Sequence, residues 1–176
     1  MDTQVEQKLG FIFGRRSIRR YGPGEVSEEA VEGLLAAAMA APSAVAKDPW
    51  RFVVVRQRQR LARLAAVLSN GQMLESATLA IAVCGDLAAA HDGQLSYLLQ
   101  DCAAAIENLL LGAHRLGLGS CWLGVHPREQ RMKSLKDILC LPASVIPVAC
   151  IALGHAAETK APRTRFNPDY VHFEEW

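Results

Sequence analysis

The sequence predicts an α+β fold in one domain, and three observations lead there. Stretches with apolar residues three and four apart are interleaved with short β-branched or wholly apolar runs, the signatures of amphipathic helices and buried strands. A length of 176 residues suits one core, since domains typically run to about 100–200 residues. A composition 51% hydrophobic and 21% charged can fill that core and excludes a disordered or fibrous chain.

The elements follow in order. Val5, Leu9, Ile12 and Phe13 recur at helical spacing before Gly14, which predicts a short amphipathic helix delivering the chain to RRSIRRYGPG. Gly22, Pro23 and Gly24 then force a loop. Ser27 is the N-cap of a second helix reaching about Met39, with Glu28 and Glu29 in the first turn where the helix dipole favours negative charge. APSAVAKDPW breaks that helix. Residues 52–55 read as a strand, 57–68 as a helix with Leu61, Leu64 and Leu68 in phase, and 79–84 as a buried strand.

Residues 94–116 predict the central helix, apolar on most sides, with the small residues 103–105 permitting close approach of a neighbour in the fold or in a second subunit. Strands are predicted over 121–125 and 145–153, the latter ending at Gly154, with a helix over 129–139 between them. The remaining polar tail carries Tyr170, Val171, Phe173 and Trp176, which mark it as draped over a surface, because solvated tails seldom hold four large apolar groups.

Lys plus Arg total 19 against 18 Asp plus Glu, so a net charge of +1 provides no field for wrapping nucleic acid or adhering to anionic membrane. No apolar stretch reaches the roughly 18 residues of a membrane span, and MDTQVEQKLGF lacks the order of a signal peptide, so a cytoplasmic protein is expected. The five cysteines, Cys84, Cys102, Cys121, Cys140 and Cys150, form no CxxC pair and sit among apolar neighbours, as buried thiols do.

Arg15, Arg16, Arg19 and Arg20 surround Ser17 just after a helix. Guanidinium forks with a serine hydroxyl can cradle a phosphate, although the cluster alone also fits a solvated basic turn. Gly117, Gly119 and Gly124 imitate a dinucleotide loop, but they follow a helix and precede a strand, the reverse of the Rossmann order. No P-loop, nucleophile elbow, zinc-protease or calcium-loop motif is present, and the five histidines show no metal-ligand spacing. An enzyme without an evident acid, base or nucleophile points to a cofactor that does the chemistry.

RRSIRRY, APSAVAKDPWRFVVV, DCAAAIENLLLGAHRLGLGSCWLGV, LGH and a tail ending VHFEEW resemble, in that order, the short nitroreductases, flavoenzymes that bind FMN at a dimer interface. The resemblance runs from about Arg15 to the C-terminus. It implies a mixed sheet flanked by helices in an intertwined homodimer, with residues 1–176 one FMN-binding domain and an arm of about 155–176 embracing the partner. It assigns Arg15, Arg16, Ser17 and Arg19 to the FMN phosphate and ribityl chain, joined by Arg163 and Arg165 of the tail. Pro42, Ser43 and Ala44 would lie over the flavin from the other subunit. Gly124 would offer its backbone N–H to flavin N5, with Trp122, Leu123 and Val125 beside it.

The implied reaction is ping-pong: NADH or NADPH reduces the flavin and departs, and a nitroaromatic, quinone or similar small acceptor takes its place. Two further readings stay open, an FMN-binding or storage module without nicotinamide turnover and a specialised flavin reaction such as dehalogenation or flavin destruction. The sequence departs from the family pattern where Ala46 and Asp48 replace common Asn and Gln, and where Gln72 stands for the lysine near the flavin pyrimidine.

Overall fold

A computed structural model describes residues 3–176 and is organised around one long strand, β5 (Val145–Ala156). Along one edge β5 pairs with β3 (Leu79–Asp86) and then with the two-residue β1 (Tyr21–Gly22); β3 in turn pairs with β2 (Trp50–Val55). Along its other edge it pairs with β4 (Leu118–Gly124), in register from Leu118 opposite His155 to Gly124 opposite Ala149. These ladders are antiparallel, and the parallel component among the described residues is the isolated bridge between Ser17 and Ser120. β5 extends past Gly154, where His155 and Ala156 pair with β1 on one edge and His155 with Leu118 of β4 on the other.

Helices cover both faces of the sheet, as expected. Strand side chains alternate, so Ala80, Ala82, Cys84, Cys150 and Ala152 face one side and Leu79, Ile81, Val83, Ile151 and Leu153 the other. The first set is covered by Leu61 and Leu64 of α3 (Arg58–Val67) and by Leu135 and Ile138 of α5 (Glu129–Leu139). The second packs against Val31 and Leu34 of α2 (Glu28–Met39) and against Leu98, Ile106 and Leu109 of α4 (Leu95–Arg115). Ser27 caps α2 by accepting a hydrogen bond from the Ala30 N–H at 3.1 Å. Every member of both cores lies at or before Leu153.

The first helix differs in use from its neighbours. α1 (Thr3–Gly14) forms where its periodicity predicts, yet Val5, Leu9, Phe11 and Ile12 stay exposed. The tail beyond residue 157 has one short 3₁₀ turn, Pro168–Tyr170, and leaves Phe166, Tyr170, Phe173 and Trp176 in solvent. Four cysteines are buried, with burial pushing Cys84, Cys102 and Cys150 up to about 12, whereas Cys140 is exposed at the left-handed end of α5. The expectation of five buried thiols is corrected there: Cys140 closes the helix rather than facing the core. No described helix is long and apolar enough to cross a membrane.

Candidate functional site

The segment after α1 is pinned on several sides. Ile18 donates its N–H to the Ser120 carbonyl at 2.9 Å, Ala157 donates to the Arg20 carbonyl at 2.9 Å, and the buried Tyr21 hydroxyl lies 2.8 Å from the Ile18 carbonyl. Burial raises the Tyr21 phenol, so it stays a neutral donor. Lys160 Nζ reaches the Ser17 carbonyl at 2.6 Å, Arg163 donates its N–H to Phe13 at 3.0 Å, and an Arg16 guanidinium N–H bonds the Ala161 carbonyl. These bonds bring residues 160–165 back over residues 13–19.

The result is a cavity of about 460 Å³ lined by Arg15, Arg16, Ser17 and Arg19 from one end of the chain and Arg163 and Arg165 from the other. Lys160 adds a cation and Glu107 of α4 a carboxylate, which pairs with Arg15 Nε at 3.4 Å. Glu158 accepts from the Arg19 N–H at 2.6 Å and from Lys160 at 3.1 Å, and these contacts, the Arg19 amide first, hold its carboxyl below the usual range. A depressed folded-state value means that this stabilisation is present above the unfolded pKa and lost as pH falls through the folded one. Wild type should therefore melt above Glu158→Gln at neutral pH, and the gap should close as the pH falls through the carboxyl's lowered folded-state value, beneath the usual carboxylate range. Melting curves from pH 7 downward check the sign.

Arg19 also lines a small cleft of about 90 Å³ with Trp122, Leu123, Gly124, Cys121 and Arg131. Backbone groups of one strand residue point to the same edge and alternate along the strand. Val125 donates to the Val148 carbonyl on the β5 side, while the Ser120 carbonyl accepts from Ile18 on the opposite side. Gly124 therefore directs its N–H and C=O away from β5, toward the cleft. The carbonyl accepts from Arg131 Nη1 at 2.9 Å, and Arg131 Nη2 donates to Ser69 Oγ at 2.7 Å. A Cβ built on Gly124 would meet nothing within 4 Å, and Trp122 beside it is 37% exposed. Burial raises the neighbouring Cys121 thiol despite Arg19, Lys160 and the Ser17 hydroxyl, so it is no ready nucleophile.

Not every predicted site residue joins these two spaces. Val125 is fully buried with its N–H spent on Val148, so it anchors the strand end. Gln72 is exposed on the 3₁₀ turn Gly71–Glu75; Ser69, Asn70 and Met73 line the cleft and Gln72 does not. Pro42, Ser43 and Ala44 lie outside both cavities. Ser43 donates to Asp48 Oδ1 at 2.5 Å, and the Ala44 N–H donates at 2.9 Å to Asp101, an α4 carboxylate only 4% exposed whose other oxygen has no partner. Left-handed Val45, Ala46 and Asp48 turn this segment outward.

Sequence reasoning missed Lys160, Glu158, Glu107, Asp101 and Arg131. KAPRTR carries a signal for Lys160, as does the lone acid on the apolar face of α4 for Asp101. Arg131 sits among ordinary surface charges of an amphipathic helix, where spacing carries none.

Comparison with known proteins finds relatives over nearly the whole chain. The profile of the Nitroreductase family matches residues 12–72 and 65–155. An Archaeoglobus fulgidus protein provisionally named NADH dehydrogenase/NAD(P)H nitroreductase is 43% identical over 98% of this chain and 100% of its own. A Bacteroides thetaiotaomicron crystal structure under the same provisional name superposes with a TM-score of 0.91 at 36% identity, covering 97% of this chain and 98% of that one. A Desulfovibrio desulfuricans structure, provisionally a nitroreductase and solved in complex with FMN, gives 0.82 at 34% identity and 96% coverage of both chains. With the family profile spanning most of its length, this chain belongs to the nitroreductase family.

Proposed function

We propose that this protein is a cytoplasmic FMN-dependent oxidoreductase that takes electrons from NADH or NADPH and passes them, by ping-pong exchange, to a nitroaromatic, quinone or similar small acceptor. The observation that carries the reading is the cavity where arginines from both ends of the chain converge next to a strand edge with an open N–H.

The residues present fit the cofactor. Five arginines, Lys160 and the Ser17 hydroxyl offer positive charge and donors to the oxygens of a phosphate dianion, and guanidinium forks bind such oxygens two at a time. The space over Gly124 leaves room for a flat ring system, and the Gly124 N–H, directed away from β5 into the cleft, is placed to donate to ring nitrogen N5. Bound there, the flavin supplies the two-electron chemistry. Arg15, Arg16, Arg163 and Arg165 bind, Arg19 spans phosphate and ring, and Gly124 polarises N5 by a preorganised dipole. No side chain is required to move a proton.

The functional unit in this reading is a homodimer. Phe166, Tyr170, Val171 and Phe173 on the tail and Val5, Leu9 and Phe11 on α1 form exposed apolar surface of the kind that marks interaction sites. The segment 42–44, which lines neither cavity of its own chain, suits a cap over the partner's flavin.

Purified protein should be yellow, and anaerobic NADH or NADPH should bleach it. Yellow protein that neither nucleotide bleaches would leave a binding module. Arg16→Ala should weaken FMN by the about 1.5–3 kcal/mol of a charge-assisted hydrogen bond, while Arg63→Ala on exposed α3 surface should not. Equal dissociation constants measured by flavin fluorescence would count against the phosphate assignment.

A further inference from the structure

We propose that Arg131 of α5 is a positioning residue that sets the reduction potential of the site through Gly124, an inference that rests on the FMN reading above. Its guanidinium occupies the Gly124 carbonyl at 2.9 Å with one nitrogen and Ser69 Oγ at 2.7 Å with another, so two elements fix its plane. The N–H and C=O of an edge-strand residue point the same way. An acceptor taken up by the Gly124 N–H therefore lies at the flank of the guanidinium.

Arg19 and Arg131 both line the cleft without a carboxylate partner among the described residues, and Arg131 is held there by two hydrogen bonds. In the phosphate cavity Arg15 is paired with Glu107, and Lys160 with Glu158. Arg131 bonds a carbonyl and a hydroxyl, both neutral, and among the described residues it has no carboxylate partner. Its positive charge is left uncompensated in a cleft of about 90 Å³. Gln72 lies outside that cleft and carries no charge. A fixed cation favours whichever cofactor state is more negative, and that is the reduced one. The Ser69 bond limits rotation of the guanidinium fork, and the Gly124 bond keeps the donor amide aimed into the cleft.

The test compares wild type, Arg131→Lys and Arg131→Gln, with FMN as the probe. Dissociation constants are measured for oxidised and for reduced FMN, and the potential by dye equilibration. Arg131→Gln should bind oxidised FMN close to wild type and weaken reduced FMN about tenfold more, equivalent to a fall of about 30 mV for a two-electron couple. Arg131→Lys, which keeps the charge and loses the fork, should retain most of the wild-type potential. An unchanged potential in the Gln variant overturns the proposal, as do equal shifts in the Lys and Gln variants, which would mark a merely structural role. A wild-type protein with no affinity for FMN overturns the cofactor reading itself and this inference with it. FMN bound by wild type with no difference among the three proteins overturns this inference alone.

Discussion

Deleting residues 158–176 is expected to leave a folded protein that no longer holds FMN. Both cores are complete by Leu153, β5 ends at Ala156, and the Ala157 N–H that ties the end of the strand to Arg20 is retained. The deletion removes Lys160, Arg163 and Arg165 from the phosphate cavity. Two lost arginine contacts at about 1.5–3 kcal/mol each weaken binding by roughly two to four orders of magnitude. The exposed aromatic groups leave with them, so self-association should fall as well. Size exclusion monitored at the flavin band, together with a melting curve, separates the outcomes. Yellow, dimeric truncated protein would make the tail a passive extension, and a shortened chain that cannot fold would contradict the placement of the cores.

Gly85→Ala is expected to destabilise the protein by about 1–3 kcal/mol, the typical cost of overpacking a filled core. Intrinsically the change should help, since glycine in a strand costs roughly 0.5–1 kcal/mol relative to alanine. The surroundings reverse that sign. A Cβ on Gly85 would fall 2.4 Å from Cγ of Leu98 and 2.5 Å from its Cδ2, and Leu98 is fully buried between α4 and the sheet. Leu98→Ala alone should cost about 2–5 kcal/mol by opening a cavity. The double variant should then cost less than the sum, because alanine at 98 vacates the space that the new methyl enters. Urea denaturation of the four proteins closes the cycle, and strict additivity would show that Leu98 moves aside freely. On a total stability of about 5–15 kcal/mol, either single variant is severe.

Helical spacing made all five long helices legible, and β-branched or wholly apolar runs the four longer strands, because burial of one face dictates the first and packing on both faces of the central strands the second. The ends were less so. β1 is two residues long and exists only because β5 overshoots β3, and no local pattern announces that. Within the site, the two arginine groups were readable because they stand in distinct runs at Arg15–Arg16 and Arg163–Arg165. The meeting of those runs follows from bonds between residues 13–20 and 157–163 that end on main-chain carbonyls, and a carbonyl acceptor leaves no mark in the sequence. Arg131 was illegible for the opposite reason. Its partners are a main-chain carbonyl and a serine in an irregular turn, so nothing about its neighbours in sequence distinguishes it from Lys133.

The phosphate cavity joins Arg15 and Arg16 to Arg163 and Arg165, at opposite ends of the chain. Residues 158–176 add no member to either core, so the sheet and its helices do not wait on the closing of that cavity. Domains tend to fold as units, and here the unit is complete without the groups that would grip the phosphate. Protein made under flavin starvation should therefore accumulate as folded apoprotein rather than as aggregates.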